Sequence, residues 1–430
     1  MFDEAGAVSN FSSYCLSGAD RFQLFFDSVA RKKTGTGNVI RAAVIVSGII
    51  PEYDLRQSII QNEAIRLMCS LSLKQKWYSA LYRLENDKHN ADPGSMIFFH
   101  QDENREDAYI HALSRDCSFY SGSPICIDVI YSGQQTHVIF SINHVLMDHA
   151  GMENLLVSFS ESRIMQLLPR KKRQGKFILN KIADAIGATL FVAALSGWNM
   201  RRLPVISGKR IPDYEKLELT EEETRRANLK LTNEIQTSKL AFFLGCAMHA
   251  LDASEELLVG NPEKYFVAVP INRRSASDKE TVFSNFLSFI YFQAKAGEMK
   301  SIKNISQRIS QQMILQARKK LPGKFSSLLD LFRFVPATLY RAFINLPGNG
   351  DSGTFAFSLL SNSLLENKLF LGFPVTDVSH YAPVISPPAL NIVFNEFNGR
   401  LKIILSFDES RINKMKAREL LLTIRKNLLN

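Results

Sequence analysis

Apolar runs along the first half of the chain predict strands that alternate with helices. The run 38–47, rich in Val, Ile and Ala, predicts a buried strand. A helix is predicted from Asp54, a suitable N-cap with Gln three residues later, through Met68. The runs 123–131 and 136–143 are separated by Ser-Gly-Gln-Gln, which predicts a β-hairpin. A further helix is expected after this hairpin.

The second half repeats this layout of strands and helices. Thr220 and Glu223 have capping-box spacing, so a helix is predicted to begin there. Apolar periodicity predicts further helices at 237–251, 302–313, 319–346 and 412–429, and strands at 265–270, 286–292, 354–360, 389–396 and 401–407. A mixture of strands and helices in both halves favours an α/β fold with two similar lobes.

An apolar stretch at 182–198, preceded by the basic run 169–176, lies between the two halves. At about 17 residues with an internal aspartate, it is a poor membrane span. It is either a buried or groove-lining helix, or an interfacial helix attracted to anionic headgroups. The segment 319–346 is either an ordinary amphipathic helix packed on the core, or a surface that meets lipid or a long acyl chain. We therefore predict an N-terminal lobe at 1–175, a connection at 176–212 and a C-terminal lobe at 213–430.

Composition narrows the classes of partner. A chain of 430 residues with 46% hydrophobic content can build two packed lobes and is not disordered. Its formal charge of +10 favours anionic partners such as phosphate-bearing cofactors, acidic carrier proteins or a membrane surface. Nucleic acid is not expected, since no zinc-finger spacing, RNP-like motif or long basic arm occurs. The N-terminus lacks a secretory signal pattern, so a cytoplasmic location, or the inner face of a membrane, is expected.

The pattern of cysteines argues against disulfide bonds and against a structural zinc site. The five cysteines are scattered and form no CxxC pair. Neither a disulfide framework nor a zinc site is expected from such spacing, and no metal is predicted.

The end of the predicted hairpin carries the candidate chemistry. His144 follows the second strand, Asp148 comes four residues later, and Gly151 three after that. This arrangement can present an imidazole at a cleft while the carboxylate turns into the structure. One His-x-x-x-Asp match is weak evidence by itself. His149, with Glu153 four residues on, is a competing base, but a capping or surface role is expected because a helix should begin there.

Four segments occur in a characteristic order: His144–Asp148; 219–223; 270–274 with 283–286; and 361–362 with 372–378. Together they resemble the CoA-dependent acyltransferase superfamily, which includes condensation domains, wax-ester synthases, polyketide-associated acyltransferases and alcohol acetyltransferases. The resemblance implies two chloramphenicol acetyltransferase-like lobes. Each is a mixed β-sheet with flanking helices, and an active-site channel runs between them.

The resemblance also implies an activity. The acyl group of a CoA or carrier-protein thioester would move to a hydroxyl or amine, with His144 as general base and no covalent acyl-enzyme. No GxSxG elbow is present, in keeping with a mechanism that needs no serine nucleophile. No cofactor is bound permanently, and acyl-CoA or acyl carrier protein is the co-substrate. The acceptor is expected to be a small molecule or lipid. The amphipathic segments suggest peripheral membrane contact. The protein is expected to be a monomer.

Roles for the second half follow from the same resemblance. Asp148 should form a structural ion pair with Arg274, four residues after Pro270, with Arg273 as the alternative. Gly151 belongs to the same active-site motif.

Candidates for oxyanion stabilisation also come from the second half. Ser361 or Asn362 could donate to the tetrahedral oxyanion. Asn285 is a weaker candidate, for which turn or strand-end hydrogen bonding is the expected role.

Two positions depart from the family pattern. Asn143 replaces the first of two histidines, and His149 stands where glycine often follows the Asp. Because condensation domains more often retain both histidines, Asn143 favours a stand-alone O- or N-acyltransferase over peptide-bond formation. Asn143 and His149 together leave open a catalytically degenerate condensation-domain-like module that binds an acyl carrier or partner enzyme. A third class, a membrane-anchored structural protein, rests only on 182–198.

Overall fold

Two six-stranded mixed sheets form the centres of two lobes, as predicted. In the computed structural model the described residues are 13–75, 81–86, 92–100, 104–120, 122–160, 165–169, 178–196, 200–206, 211–254, 257–258, 264–336, 339–340, 353–385 and 388–430. The strands are β1 (Ser13–Cys15), β2 (Val39–Ser47), β3 (Leu71–Gln75), β4 (Tyr82–Asn86), β5 (Ile97–His100), β6 (Ile125–Ser132), β7 (Gln135–Asn143), β8 (Pro212–Glu218), β9 (Lys264–Asn272), β10 (Leu287–Lys295), β11 (Phe355–Leu359), β12 (Leu369–Phe370), β13 (Phe373–Tyr381), β14 (Leu390–Phe397) and β15 (Arg400–Asp408).

The helices flank these sheets. They are α1 (Gly18–Thr34), α2 (Glu52–Gln61), α3 (Glu63–Ser70), α4 (Arg105–Ser114), α5 (His149–Val157), α6 (Ile178–Ser196), α7 (Glu221–Lys230), α8 (Lys239–Ala253), α9 (Ile302–Arg318), α10 (Leu321–Phe332) and α11 (Lys414–Leu429). None of the described helices is long and apolar enough to cross a membrane.

The first sheet has the order β12-β13-β2-β7-β6-β5, with only β5 and β6 parallel. The second has the order β10-β9-β11-β14-β15-β8, in which β11 runs parallel to both of its neighbours. A small third sheet, β1-β4-β3, lies beside the first. The hairpin of β6 and β7 appears as predicted, and β7 delivers the chain to His144.

Two segments of the predicted C-terminal lobe cross to the first lobe. Strand β13 pairs antiparallel with β2, from Val375 opposite Val46 to Tyr381 opposite Arg41. The second crossing is the segment 282–284, whose backbone N–H groups donate to first-lobe carbonyls at 2.6–2.9 Å. The boundary at 213 therefore does not separate two independent cores.

An apolar cluster joins the two large sheets. Ala43, Ile130 and Ile139 of the first sheet lie in one buried cluster with Val393 and Ile404 of the second. Burial of such side chains contributes about 25 cal/mol per Å² of apolar surface removed from water. This shared apolar core holds the two lobes together.

Local differences from the predicted helices have identifiable causes. The single helix predicted from Asp54 to Met68 is wrong: it divides into α2 and α3 at Asn62. The Asn62 side chain accepts the N–H groups of Ala64 and Ile65 at 3.1 and 3.2 Å, so a new helix begins there. The capping box of Thr220 and Glu223 is confirmed.

The structure describes only part of the connecting segment and of the amphipathic segment that follows in the second half. The apolar stretch forms α6, but most of the basic run before it lies outside the described residues. The single long helix predicted at 319–346 is wrong: α10 ends at Phe332 and residues 333–336 are not helical, while residues 337–338 and 341–350 lie outside the described part.

Candidate active site

His144 stands in a tight turn directly after β7. Its backbone N–H donates to Asn38 O at 2.8 Å, and Leu146 N donates to Asn143 O at 3.0 Å. Its ring Nδ1 lies 2.8 Å from Met147 O. Because a carbonyl only accepts, Nδ1 carries the proton, and the lone pair of the neutral ring is on Nε2. Burial lowers the pKa of His144 below 6.5, against the raising effects of the Met147 carbonyl and Asp148. At neutral pH the ring is a free base.

Asn143 is a buried structural residue at the end of β7. Its Nδ2 donates to Asp27 Oδ1 and to Cys117 O, both at 3.0 Å, and its Oδ1 accepts from Val145 N at 3.1 Å. The side chain is fully buried. The first departure from the family pattern thus lies beneath the His144 turn and helps to fix its backbone.

Asp148 connects the motif to the second half of the chain. Its Oδ1 accepts from Arg274 Nη2 at 2.6 Å and from Gly151 N at 3.0 Å, which caps α5. Its Oδ2 accepts the N–H of Phe286 at 3.0 Å. The carboxylate is therefore engaged with Arg274 and two backbone groups.

Arg274 is the partner of Asp148, and Arg273 is not. The Arg274 guanidinium is 5% exposed and also donates to the carbonyls of Asp278 and Thr281 at 3.2 and 2.7 Å. The Arg273 side chain is exposed. Of the two alternatives that the sequence left open, the structure selects Arg274 for the ion pair.

Asn285 holds the backbone of the His144 turn. Its Nδ2 lies 2.9 Å from His144 O and 3.2 Å from Val145 O. The same nitrogen lies 3.1 Å from Asp20 Oδ1. With its amide N–H groups used in this way, Asn285 is not free to donate to an oxyanion in this structure. The strand-end role expected for it is the observed one.

Asp20 is a buried residue of this site that sequence reasoning missed. Its carboxylate accepts from Asn285 N at 2.7 Å, from Ser17 N at 2.8 Å and from Tyr14 OH at 3.1 Å. Burial raises the pKa of Asp20, although the hydrogen bonds from Asn285 and Ser17 oppose the shift. The neighbouring Ser284 has φ of +90°, a conformation that non-glycine residues rarely adopt. Its cost is offset by the contacts that tie the segment to the first lobe.

Solved structures share this architecture, although neither a family model nor a curated protein matches the sequence. A trichothecene 15-O-acetyltransferase from Fusarium sporotrichioides superposes with a TM-score of 0.71 at 11% identity, covering 97% of this chain and 95% of that one. The first condensation domain of the calcium-dependent antibiotic synthetase gives 0.68 at 12% identity, covering 97% and 95%. Polyketide synthase associated protein 5 from Mycobacterium tuberculosis gives 0.60 at 14% identity, covering 97% and 98%.

The chain has the fold of condensation domains and their acetyltransferase relatives. Within this condensation-domain-like fold, Gly151 lies in close contact with the segment 282–284 that crosses from the second half of the chain. A Cβ placed on it would be 2.2 Å from Val282 O and 2.9 Å from Met147 Cβ. No larger residue fits without moving the crossing segment, which explains glycine at this position.

Ser361 and Asn362 occupy the loop after β11, and both are exposed. Asn362 Nδ2 donates weakly to Glu366 Oε2 at 3.4 Å. Among the described contacts, none brings either residue against His144. Their role as oxyanion donors stays a prediction that requires the loop to meet a bound substrate.

His149 is the residue for which the predicted role is wrong. It begins α5, but Asp148 supplies the cap, and both ring nitrogens of His149 are buried rather than on the surface. Its ring packs edge-on against His380, with centroids 4.3 Å apart. Burial lowers the pKa of His149 to about 3, so the ring is neutral. The ring of His149, the second departure from the family pattern, is thus directed into the protein, which does not favour a role as the base.

Proposed function

We propose that this chain is an acyltransferase that moves an acyl group from a CoA or carrier-protein thioester to a hydroxyl or amine. The observation that carries the proposal is the hydrogen bond between His144 Nδ1 and Met147 O. It selects the tautomer that a general base needs, with the lone pair on Nε2. The fold shared with acetyltransferases and condensation domains supports acyl transfer as the reaction class.

In the proposed reaction, His144 Nε2 takes the proton of the acceptor O–H or N–H as that oxygen or nitrogen attacks the thioester carbonyl carbon. A tetrahedral oxyanion forms and then collapses with cleavage of the C–S bond. The departing thiolate receives the proton from the His144 imidazolium, so the ring returns to its neutral state. General base catalysis contributes about 10²–10⁴ in rate, and positioning of the two substrates contributes much of the remainder.

The surrounding residues position the base and do not react. Asn285 holds the carbonyls of His144 and Val145, while Asp148 joins the helix after the motif to Arg274. Such support matters because catalytic geometry tolerates deviations of only about 0.5 Å. Either Ser361 or Asn362 is the proposed oxyanion donor.

The acceptor class is proposed to be a lipid or an apolar secondary metabolite. One face of α6 packs on α10, where Lys181 Nζ lies 3.0 Å from Asp330 Oδ2. The opposite face exposes an apolar stripe at helical spacing, made of Leu179 (73% exposed), Ile182 (41%), Ile186 (55%) and Leu190 (65%). An apolar stripe on a protein of net charge +10 suits peripheral contact with an anionic membrane. This contact would place the enzyme beside a lipid acceptor.

The alternative, a degenerate module that binds an acyl carrier or partner enzyme, was suggested by Asn143 and His149. In this structure Asn143 supports the His144 turn and leaves Nε2 of the base outside any described hydrogen bond. The geometry therefore favours an active base over a degenerate site.

Turnover separates the two functions. The purified chain would be incubated with acyl-CoAs of increasing chain length, or with acyl carrier proteins, and a panel of alcohols and amines. Release of thiol that depends on the acceptor is the expected result. Binding of the thioester without acceptor-dependent release, across the panel, would support the binding module and contradict the enzyme.

A further inference from the structure

Three side chains outside the proposed catalytic machinery converge in the interior of the first lobe. His149 and Glu153 are four residues apart on α5, so they share one helix face. His380 reaches them from β13. The nearest possible ligand atoms of the three residues all lie within 4.8 Å of one another. The chain thus brings two imidazoles and one carboxylate together from positions 227 residues apart.

The carboxylate of this cluster is held in place by neighbours. Glu153 is 2% exposed, and its Oε2 accepts from Ser363 Oγ at 2.9 Å and from Leu364 N at 2.6 Å. Its Oε1 points at His380 Nε2, 2.6 Å away. One oxygen is therefore fixed by donors, as in the outer shell of a metal site, and the other faces the cluster.

His149 has no such partner. Both of its ring nitrogens are buried, and neither has a hydrogen-bond partner among the described residues. A buried polar group without a partner is unfavourable and calls for an explanation. A neutral imidazole that lies beside a buried carboxylate and a second imidazole matches the donor set of a zinc site.

We propose that His149, Glu153 and His380 bind one divalent transition metal ion, with Zn²⁺ as the expected species. Zinc takes imidazole nitrogen and carboxylate oxygen at about 2.0–2.2 Å, and a water completes a four-coordinate site. The ion occupies the position of the hydrogen atom between His380 Nε2 and Glu153 Oε1, and the neutral His380 ring then carries its proton on Nδ1. It satisfies one nitrogen of His149 at the same time.

The ion would join parts of the chain that the sequence keeps apart. It ties α5, which Asp148 caps, to β13 and to the loop at 363–364. The helix that follows the His144 turn would then be fixed to the strand that the C-terminal half contributes to the first sheet. This role is structural and is independent of the proposed acyl transfer.

The test uses full-length, tag-free protein stripped with a chelator. Zn²⁺ binding is measured by equilibrium dialysis with metal analysis, and Co²⁺ serves as an absorbance probe of coordination. One Zn²⁺ per chain is expected, with a rise in Tm on addition of metal. His149→Ala should weaken binding by about 100-fold or more and abolish the rise, because it removes a ligand. This residue makes no described hydrogen bond, and His149→Gln serves as a second variant of similar size if the alanine variant does not fold.

A matched control is His249→Ala, since His249 lies on α8 in the other lobe. It should retain one Zn²⁺ per chain and the same Tm response. Absence of stoichiometric binding, equal binding by the wild type and the His149 variants, or equal loss in His249→Ala would each overturn the proposal.

Discussion

Asp148 Oδ1 accepts from Arg274 Nη2 at 2.6 Å, and Asp148 Oδ2 accepts from Phe286 N at 3.0 Å. One carboxylate thus binds the side chain and the backbone of the opposite half of the chain, at the first turn of α5. Arg274 is 5% and Asp148 is 16% exposed, so the pair is largely removed from water. Asp148 therefore has a structural role beside His144.

Removal of either partner should destabilise the fold. Asp148→Ala leaves the Arg274 guanidinium buried without its counter-charge, which typically costs about 3–5 kcal/mol. We expect a loss of this order in the free energy of unfolding, measured by urea denaturation. The matched control is Arg273→Ala, whose exposed side chain should contribute less than about 0.5 kcal/mol. Equal stability of the two variants would show that the ion pair between Asp148 and Arg274 does not stabilise the fold.

Gly151 provides a steric test of the contact between α5 and the crossing segment 282–284. Gly151→Ala places a methyl group 2.2 Å from Val282 O, so the crossing segment must shift. A loss of about 1–3 kcal/mol in unfolding free energy is expected, as for other overpacked sites. Gly297→Ala is the control because a Cβ there meets nothing within 4 Å. If both variants unfold at the same urea concentration, the close approach at Gly151 is not rigid.

The lowered pKa of His144 predicts a pH dependence. The neutral ring is the active form, so kcat/KM should fall as the pH falls through the pKa of His144. Because burial moves this pKa down, the midpoint of the acidic limb should lie below 6.5. The unfolded chain protonates its histidine more readily, so folding stability should also decrease as the pH falls below 6.5. A midpoint above 6.5 would contradict a desolvated base.

The apolar stripe of α6 predicts membrane binding. Leu190→Glu should reduce co-sedimentation with anionic lipid vesicles by about tenfold or more, since burial of one leucine is worth about 1.5–3 kcal/mol. Leu422→Glu, at a residue on α11 that is 57% exposed, is the control and should bind vesicles like the wild type. A loss of the same size in both variants, or vesicle binding by neither the variants nor the wild type, would remove the case for lipid contact.

Local signals in the sequence predicted much of this fold, because they depend on neighbouring residues. The hairpin that ends at His144 and the capping box at Thr220 are examples, and both were found where expected. The crossing of β13 to the first sheet was not predicted, since its pairing with β2 joins residues more than 300 positions apart, as in Val375 opposite Val46.

The site shows the same division between local and distant signals. His144 was singled out by its position after a strand together with the resemblance to acyltransferases, and the choice of Arg274 over Arg273 needed the three-dimensional structure. The role of Asp20 had no local signal, because its partners at 284–285 lie in the other half of the chain. No metal was predicted because the cysteine spacing indicates no zinc site, whereas the proposed ligands are two histidines and a glutamate, with His380 far from the other two in the sequence.

The most direct test of His144 as the general base is the acyl-transfer activity of His144→Ala. The assay follows acceptor-dependent thiol release from an acyl-thioester, with circular dichroism and urea denaturation to establish that the variant folds. His249→Ala is the control and should keep wild-type activity. His144→Ala is expected to lower kcat by about 10²–10⁴ while the fold is retained. A folded His144→Ala variant with wild-type kcat would contradict the assignment of His144 as the general base.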